Sequence, residues 1–539
     1  MSAPLRRRRS SASANTLRTP DKRWIVVAVL AFLLAAGSYT GYRFWLAASK
    51  VSGHAGLGDF VGLAQNQQDT PGTLAYKIHH GERVNVLLLG YGGAGHDGAY
   101  LTDSILIVSM QGPDRVALTS VPRDTWVKIQ AFANGGQYDG KINATYEIPL
   151  LQGAFGKVQP QYDQSFTGAG ALASKVIGDY LGMKIDYFVG VDFNAFQKVV
   201  DTIGGVDVNN PYVLDDYEYP LGETGRVMHI HFDPGPLHLT GDQALIYVRE
   251  RHADSDFGRS RRQQQVMTAI KDKALKVGAL PKLFGLLDAL QENVKTNMSL
   301  NDIKTFGGIA NKISSDATHH VSIDNTNWQY DTTSADGQYI LLARDHTMTY
   351  LHNFIGAEMV DPAVLAEKAN IQFSSTPGQG SVGQDMGQIW GALLHMLNFQ
   401  TLAPKTTVTA PATTEIHDYS GGKSAKTVAW LKQYFNAVVV PETGPPPAPV
   451  AGATSAPGTT PAPPVAPDIV VVLGKDFTAG FDAAERPVYR PPSNYIPPVF
   501  HPKPVAPPAP PPTQAPPPPP PTTRPVPSPT PTKTPTPHP

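Results

Sequence analysis

Short apolar runs alternate with amphipathic stretches over residues 81–300. The apolar runs are bounded by glycine, proline or aspartate, which is typical of strands; they are Asn85–Leu89, Ser104–Met110, Val116–Val121, Tyr187–Val191 and Val206–Asn209. Helical spacing recurs in four stretches: Gly168–Leu181, Phe193–Ile203, Gly241–Tyr247 and Ser260–Val277. Thr240 and Gln243 have the spacing of a capping box, which supports the start of the third helix. Interleaved strands and helices predict an α/β domain.

Weaker patterns follow this domain. Residues 301–404 show one helical stretch, Ile303–Ile313, and apolar segments at Tyr339–Leu342 and Ile389–Leu397, and no chemistry is predicted for them. A second, small α/β unit is predicted over residues 405–478 from the helical pattern of Ala425–Phe435 and the apolar run Ile469–Leu473. A proline-rich linker, residues 441–466, interrupts that unit.

The N-terminal pattern predicts a membrane anchor. Trp24–Tyr42 is an uncharged run of 19 residues and continues to Leu46 after one arginine, which is long enough for a transmembrane helix. Basic residues dominate positions 1–23, so this segment is predicted to be cytoplasmic and the main domains, beyond a stalk at 47–80, extracellular. A cleaved signal peptide is the alternative, but the apolar run is longer than a usual signal core.

Composition narrows the class of protein. The chain has 539 residues and a net charge of −1, which argues against nucleic acid as a general partner. Cysteine is absent, so disulfides and thiolate metal sites are excluded. Of the 51 prolines, 24 lie between Pro491 and Pro539, and a segment of this composition buries too little apolar surface to fold. Residues 479–539 are therefore predicted to be a disordered proline-rich tail.

Arginines cluster at the segment YVRERHADSDFGRSRRQQQ. Five of them fall within 14 positions: Arg249, Arg251, Arg259, Arg261 and Arg262. Guanidinium groups bind phosphate oxygens bidentately, and Arg259, Arg262 and Gln263 share one face if they are helical. The cluster predicts a site for a polyanion such as a pyrophosphate. The alternative is a solvated helix whose arginines are interleaved with acidic residues.

A glycine-rich loop follows the first predicted strand. Its glycines match the dinucleotide fingerprint, but only residues 96–103 separate the loop from the next strand, so the helix of a Rossmann unit is missing. A P-loop is excluded because no Gly-Lys-Ser/Thr follows. Asp97 and Asp103 lie near strand ends, where they could bind a hard cation such as Mg²⁺. Alternatively, Asp103 caps a turn and Asp97 is solvated.

Two smaller motifs add positive charge. Arg123 lies in SVPRDT and Lys141 in KINATY, where Asp124 and Asn143 could orient them. Either motif alone is weak, because neighbouring Arg and Asp residues usually form surface pairs.

Two further patterns are not interpreted as sites. His229 and His231 alternate as zinc ligands on a strand would, but no third ligand is evident, and an edge strand is favoured. Asp256–Gly258 spells the kinase DFG sequence, yet the catalytic-loop motif is absent, so kinase chemistry is excluded.

In chain order, seven segments together resemble the LytR-CpsA-Psr family of cell-envelope proteins: GHDGAYLTDS, VPRDT, KINATY, IDYFVGVDF, VDTIGGVDV, LTGDQALIYVRER and DFGRSRRQQ. The resemblance covers about residues 80–275, and residues 405–478 resemble the family's frequent C-terminal domain. It implies an α/β fold with a central mixed sheet flanked by helices, a polyprenyl-pyrophosphate substrate and dependence on Mg²⁺.

The resemblance also implies roles for individual residues. Four arginines would grip the phosphates as catalytic groups: Arg123, Arg249, Arg251 and Arg259. Asp256 and Gln263 match further substrate positions, which we expect Lys141, Asn143 and Arg262 to join. Asp103 matches a metal ligand. Two positions depart from the family pattern: Gly92 stands where many members have an aspartate, which Asp97 could replace, and Leu101 stands where many have an arginine.

The implied activity is transfer of a glycan phosphate from a polyprenyl-pyrophosphate carrier to a peptidoglycan hydroxyl outside the membrane. The expected partners are the lipid-linked glycan, peptidoglycan and the membrane. Two alternatives stay open: hydrolysis of the polyprenyl pyrophosphate, and a non-catalytic envelope tether or regulator, for which transcriptional attenuator is the older name. The absence of any DNA-binding motif argues against direct transcriptional control.

Overall fold

The computed structural model describes residues 70–96, 98–151, 155–220, 226–250, 256–276, 292–310, 312–313, 318–344, 348–376, 386–407, 409–448 and 464–478. The predicted cytoplasmic segment, transmembrane helix and proline-rich tail lie outside the described residues, as does the predicted stalk up to residue 69. Among the helices of the described ranges, none combines the length and the apolar character that a membrane span requires.

The strands, in chain order, are β1 Val84–Tyr91, β2 Thr102–Met110, β3 Val116–Ser120, β4 Trp126–Ile129, β5 Tyr138–Lys141, β6 Tyr187–Asp192, β7 Val206–Asn210, β8 Leu214–Pro220, β9 Val227–Phe232, β10 Gly235–Leu239, β11 Val294–Thr296, β12 Thr318–Ser322, β13 Gln329–Thr333, β14 Tyr339–Ala343, β15 Asn370–Ser375, β16 Gln400–Thr406, β17 Glu415–Asp418, β18 Val438–Pro441 and β19 Ile469–Val472.

The helices are α1 Leu74–His79, α2 Glu147–Leu150, α3 Phe166–Leu181, α4 Phe193–Thr202, α5 Gly241–Arg249, α6 Asp256–Lys276, α7 Leu300–Ala310, α8 Thr349–Ala357, α9 Pro362–Leu365, α10 Met386–Met396, α11 Ala425–Phe435 and α12 Lys475–Thr478. Two short 3₁₀ turns, Ile142–Thr145 and Pro160–Tyr162, connect elements near the first sheet.

A six-stranded mixed sheet forms the centre, in the order β11–β6–β1–β2–β3–β12. Side chains alternate between its two faces, as the pleat requires: Leu87 and Ile107 pack on the side of α3, whereas Val86 and Leu106 pack on the side of α1 and α7. Gly170 lets α3 approach β6 closely, because an added Cβ would lie 2.3 Å from the ring of Phe188. The predicted central mixed sheet flanked by helices is confirmed.

The strand after the glycine-rich loop runs antiparallel to β1, with Gly90 opposite Ser104. The hairpin confirms that no Rossmann helix follows this loop. Four predicted strands fall within β1, β2, β6 and β7, and the fifth, Val116–Val121, extends one residue past the end of β3. The four predicted helices overlap α3 to α6. The predicted capping box is also present. The Thr240 hydroxyl accepts from the backbone N–H of Gln243, and the Gln243 side-chain oxygen accepts from the backbone N–H of Thr240.

A smaller core joins α4, α5 and α6 to two hairpin-like pairs, β7–β10 and β8–β9. Its buried side chains include Val200, Val208, Ile230 and Val266. This packing fixes the end of α5 and the β8–β9 hairpin relative to α6.

Residues 301–404, for which the sequence predicted no chemistry, contribute to both sheets. β12 pairs in parallel with β3 at the edge of the central sheet. β15 and β16 belong to a five-stranded sheet, ordered β16–β15–β19–β17–β18, that also contains the strands after residue 405. One buried cluster, including Trp328, Phe354, Trp390 and Phe435, connects the two sheets. The predicted domain boundaries at residues 300 and 404 stay predictions.

Candidate functional site

The core of the site is an ion pair between neighbouring strand ends. Arg123 follows the end of β3, and Asp103 lies at the start of β2, which is antiparallel to β3. The two residues therefore meet at one end of the sheet, with Arg123 Nη1 2.6 Å from Asp103 Oδ1. The Asp103 side chain is 42% exposed, so its carboxylate is accessible from solvent despite the ion pair.

A second carboxylate, the buried Asp124, also pairs with Arg123. Asp124 Oδ2 lies 3.4 Å from Arg123 Nε, and its Oδ1 lies 2.6 Å from Lys141 Nζ. The backbone N–H of Asn143 donates to the backbone carbonyl of Arg123 at 3.3 Å. Lys141 and Asn143, which were predicted to contact substrate, thus act on the loop that carries Arg123, and neither lines the cavity described below.

Arg249 ends α5 and stacks on an aromatic ring. Its guanidinium carbon lies 4.3 Å from the centroid of Phe193 and 6.0 Å from that of Tyr219. A guanidinium plane is attracted to the electron-rich face of such rings. Burial raises the pKa of Tyr219, while the charge of Arg249 acts in the opposite direction.

Arg259 and Gln263 come from α6, one turn apart. Gln263 links the helix to two other elements, because its Oε1 accepts from Ser104 Oγ at 3.1 Å and its Nε2 donates to the Val248 carbonyl at 3.3 Å. Arg259 is buried, with 6% of its surface exposed.

These side chains surround one cavity of about 120 Å³, which we call the arginine cavity; it is lined by Asp103, Arg123, Tyr219, Pro220, Val248, Arg249, Glu250, Arg259 and Gln263. Three predicted arginines, the predicted Gln263 and the predicted metal ligand Asp103 are therefore brought together. Three guanidinium groups around one small space favour a ligand with several negatively charged oxygens.

Arg262 was predicted to lie beside the polyanion, and the structure places it elsewhere. It is 3% exposed and does not line the arginine cavity. Its Nε donates to the Tyr247 carbonyl at 2.8 Å, and its Nη2 donates to the Glu250 carbonyl. These are carbonyls at the C-terminal end of α5, where a cation compensates the unpaired acceptors of a helix. Arg262 therefore joins α6 to α5.

Three predicted site residues are not placed. Asp97 and Arg251 lie outside the described residues, and of Asp256 only the backbone, within α6, is described. Their predicted roles stay predictions.

Sequence reasoning missed the walls of the cavity. Tyr219 and Pro220 come from β8, about 30 residues before the arginine segment, and no spacing connects them to it. Phe193 had a signal, since it belongs to the IDYFVGVDF segment, but its place beneath Arg249 depends on the packing of α4 against α5.

Asp103 fits the way in which Mg²⁺ is usually held, through one or two carboxylates together with substrate phosphates and water. Its exposed carboxylate shares the cavity with Arg123, Arg249 and Arg259. At Gly92, the position of the family's aspartate, an added Cβ would lie 2.9 Å from His96 Cβ. Glycine presents no carboxylate from that point, and a larger side chain there would displace His96.

Relatives of known function share this region. The TagU protein of Bacillus cereus, a polyisoprenyl-teichoic acid–peptidoglycan teichoic acid transferase, is 32% identical over 279 residues, which cover 51% of this chain and 78% of the relative. The TagU protein of Bacillus licheniformis is 29% identical over 282 residues, covering 52% and 78%. The crystal structure of TagV from B. subtilis is 24% identical, covers 51% of this chain and 96% of that one, and gives a TM-score of 0.39. The family model of LytR-CpsA-Psr proteins matches residues 61–352, and the chain belongs to this family.

Proposed function

We propose that this protein transfers a glycan phosphate from a polyprenyl-pyrophosphate carrier to a hydroxyl group of peptidoglycan, outside the cell membrane. The observation that carries the proposal is the arginine cavity, where Arg123, Arg249 and Arg259 converge beside Asp103. The names of the TagU relatives, which combine a polyisoprenyl-linked glycopolymer with peptidoglycan as acceptor, support the same class of reaction.

The reaction would proceed by displacement at phosphorus. An oxygen of a wall-sugar hydroxyl attacks the phosphorus that bears the glycan, and the bond from that phosphorus to the bridging oxygen of the pyrophosphate breaks. Polyprenyl phosphate leaves with the bridging oxygen, and the hydroxyl proton passes to a base. The glycan phosphate is then joined to the wall through a new phosphodiester bond.

The arginines would lower the barrier by neutralising negative charge as it builds on the bridging oxygen. Arg123 is prepared for this task because Asp103 and Asp124 fix its guanidinium. Arg249 is held over Phe193, so its planar fork is already oriented before the substrate arrives. Such preorganised charges act without a reorganisation cost at the moment of reaction.

Mg²⁺ belongs to the proposal as a cofactor. Asp103 would hold the ion together with substrate phosphates, and Asp97 is a second candidate ligand. The ion would supply further charge neutralisation on the phosphate oxygens. Removal of divalent ions by a chelator, followed by addition of Mg²⁺ alone, tests this part separately: we expect activity to be lost and then restored.

The proposed location is the cell membrane, with a single anchor at residues 24–46 and the cavity on the outer side. The uncharged run Trp24–Tyr42 supports a membrane anchor. The basic segment before the anchor supports this orientation. Lipid-linked glycans and the wall acceptor would then meet on the side where the cavity lies.

The test uses the full chain, purified in detergent, with a radiolabelled lipid-linked glycan, wall fragments and Mg²⁺. Label is measured in the wall fraction and as free glycan phosphate. We expect label in the wall, and its loss with Arg249→Ala or Arg259→Ala. Arg115→Ala is the matched control, because Arg115 precedes β3 at the end opposite Arg123 and forms one partly exposed ion pair, with Asp361.

Two other outcomes would replace the proposal. Free glycan phosphate without labelled wall would identify a hydrolase, and tight binding of the lipid without turnover would identify a tether. Equal transfer by wild type and both arginine variants would show that the arginine cavity is not the site.

A further inference from the structure

The outer face of the β8–β9 hairpin carries two histidines and an aspartate that the proposed function does not use. Asp215 lies opposite His231 in the antiparallel ladder, and His229 precedes His231 by two positions, so the three side chains share one face. Asp215 Oδ1 lies 2.7 Å from His229 Nε2 and 2.9 Å from His231 Nδ1. We propose that these three residues bind a divalent transition-metal ion of the zinc class.

The donor set selects the kind of ion. Imidazole nitrogen and carboxylate oxygen are ordinary zinc ligands, whereas Mg²⁺ and Ca²⁺ prefer oxygen atoms throughout. Among the described residues, this is the one group of three histidine or acidic side chains whose potential ligand atoms all lie within 4.8 Å of one another. Three protein ligands leave a fourth position for water.

The two contacts of Asp215 need only a small adjustment to hold an ion, and the ligand nitrogens of His229 and His231 lie within 4.8 Å of each other. Tetrahedral ligands at zinc distances of 2.0–2.2 Å lie about 3.3 Å from one another. The observed contacts of 2.7 and 2.9 Å must therefore open by about half an ångström. His229 and His231 are 45% and 46% exposed and Asp215 is 38% exposed, so the side chains have room to move and the ion can enter from solvent.

Outer contacts already orient both imidazole rings. Asp233 Oδ1 lies 3.2 Å from His231 Nε2, the nitrogen that faces away from Asp215. A metal-binding histidine characteristically directs its second nitrogen at a carboxylate or carbonyl, which fixes the ring and strengthens the ligand. The ring of Tyr217 stacks on His229 with a centroid distance of 3.9 Å and an interplanar angle of 4°.

An ion at this position would tie β8 to β9. The other end of the hairpin supplies Tyr219 and Pro220 to the wall of the arginine cavity. The ion would therefore stabilise the element that shapes one side of that cavity. The metal site itself does not depend on the proposed transfer activity.

The test is titration of the full chain with ZnCl₂ in a calorimeter, using protein without a polyhistidine tag and freed of metal by a chelator. We expect one equivalent of Zn²⁺ with a dissociation constant in the micromolar range, and loss of that equivalent in His229→Ala and His231→Ala. His238→Ala is the matched control, because His238 is also exposed and lies 2.6 Å from a carboxylate, Asp207, but in the described part of the chain it belongs to no group of three potential metal ligands. It should leave the stoichiometry unchanged.

A second variant guards against misfolding. Asp233 is 80% exposed, so Asp233→Asn should fold normally, and we expect it to weaken zinc binding by about tenfold. The melting temperature without metal should be the same in wild type and Asp233→Asn, and zinc should raise it in wild type. Unchanged zinc binding in both histidine variants, or wild-type binding only at millimolar zinc, would overturn the proposal; the histidines would then only pair with Asp215 as charged groups.

Discussion

Arg249 illustrates how contacts within the fold position one charged side chain at the arginine cavity. The Phe193 ring lies 4.3 Å from its guanidinium carbon, and Arg249 and Tyr219 both line the arginine cavity. A lysine would keep the positive charge but would lose both the planar fork and the stacking surface. A lysine at position 249 therefore tests the effect of the guanidinium geometry separately from the effect of the charge.

We expect Arg249→Lys to reduce the transfer rate by roughly 10- to 100-fold, because a charge-assisted hydrogen bond contributes about 1.5–3 kcal/mol. The radiolabel assay measures this change, and Phe193→Leu should cause a smaller loss by removing only the stacking surface. Arg115→Lys, away from the cavity, should have full activity. A wild-type rate for Arg249→Lys would mean that charge alone matters here.

His319 gives the fold a sensitivity to acid. It is 2% exposed on β12, its Nδ1 has no hydrogen-bond partner among the described residues, and burial, with a smaller effect of His320, lowers its pKa to about 4. The unfolded chain protonates this group near pH 6.5, before the folded chain does. Its contribution to stability is therefore complete above pH 6.5 and is lost as the pH falls towards 4.

We predict that this group removes about 3 kcal/mol of stability between pH 7 and pH 4. Urea unfolding followed by tryptophan fluorescence should show a smaller loss over this range in His319→Leu than in wild type. Identical pH dependence in the two proteins would show that His319 is not held neutral by the fold.

At the scale of elements, Gln264 connects three of them. Its Nε2 lies 2.7 Å from Ser120 Oγ, 3.1 Å from the Val321 carbonyl and 3.4 Å from the Leu118 carbonyl. A residue of α6 is thus bonded to both β3 and β12, directly beside the loop that carries Arg123. The helix that supplies Arg259 and the strand that leads to Arg123 are fixed to each other by this amide.

Gln264→Leu should destabilise the protein by about 1–3 kcal/mol, because it leaves buried acceptors without their donor. Gln111→Leu is the control: Gln111 makes one exposed bond, to the Gly81 carbonyl, and its loss should change stability by less than about 0.5 kcal/mol. Urea unfolding measures the stability of both variants. Equal effects would mean that water replaces the hydrogen bonds of the Gln264 amide without loss of stability.

The elements were predictable where their periodicity was strong. β1, β3, α3 and α11 were all expected from alternation or helical spacing, since their buried faces impose that pattern. The orientation of individual arginines was not predictable. Helical spacing placed Arg262 beside Arg259, but the carbonyls that end α5 compete for its guanidinium.

Contacts between segments that are distant in the sequence were also not predictable. His229 and His231 were visible as alternating histidines, but Asp215 becomes their neighbour only through the register of β8 and β9. Tyr219 reaches the arginine cavity by the same hairpin. Local patterns carry no information on such register, because it is set by packing across the whole core.

At the scale of the whole molecule, a buried ion pair joins the central sheet to the region after residue 301. Glu358 follows α8, is fully buried and pairs with Arg83, and it also accepts from Thr119 Oγ1 at 2.7 Å. Burial raises the pKa of Glu358, while Arg83 and Thr119 act in the opposite direction. The pair connects α8 to the beginning of β1 and to β3.

We expect Glu358→Ala to reduce the free energy of unfolding by about 3 kcal/mol, because Arg83 would lose its charged partner and keep only neutral acceptors in a largely buried place. Asp179→Ala is the control, since its ion pair with Lys175 lies on the surface of α3 and should contribute below about 0.5 kcal/mol. A small effect of Glu358→Ala would indicate that solvent reaches Arg83 and compensates the lost charge.

The parallel pairing of β12 with β3 also decides when the site can form. Their partners, such as Val116 and Thr318, are about 200 residues apart, and contacts of such separation form slowly. Because the N-terminal part of a chain is synthesised first, β3 is made long before β12. Until β12 pairs with it, the edge of β3 is exposed and can pair with a strand of another chain. The loop of Arg123 is also supported from far along the chain, because the Leu341 amide donates to the Asp124 carbonyl. The newly made protein would thus stay inactive until nearly two thirds of its length has emerged, and a helper that shields β3 in this interval would raise the yield of active enzyme.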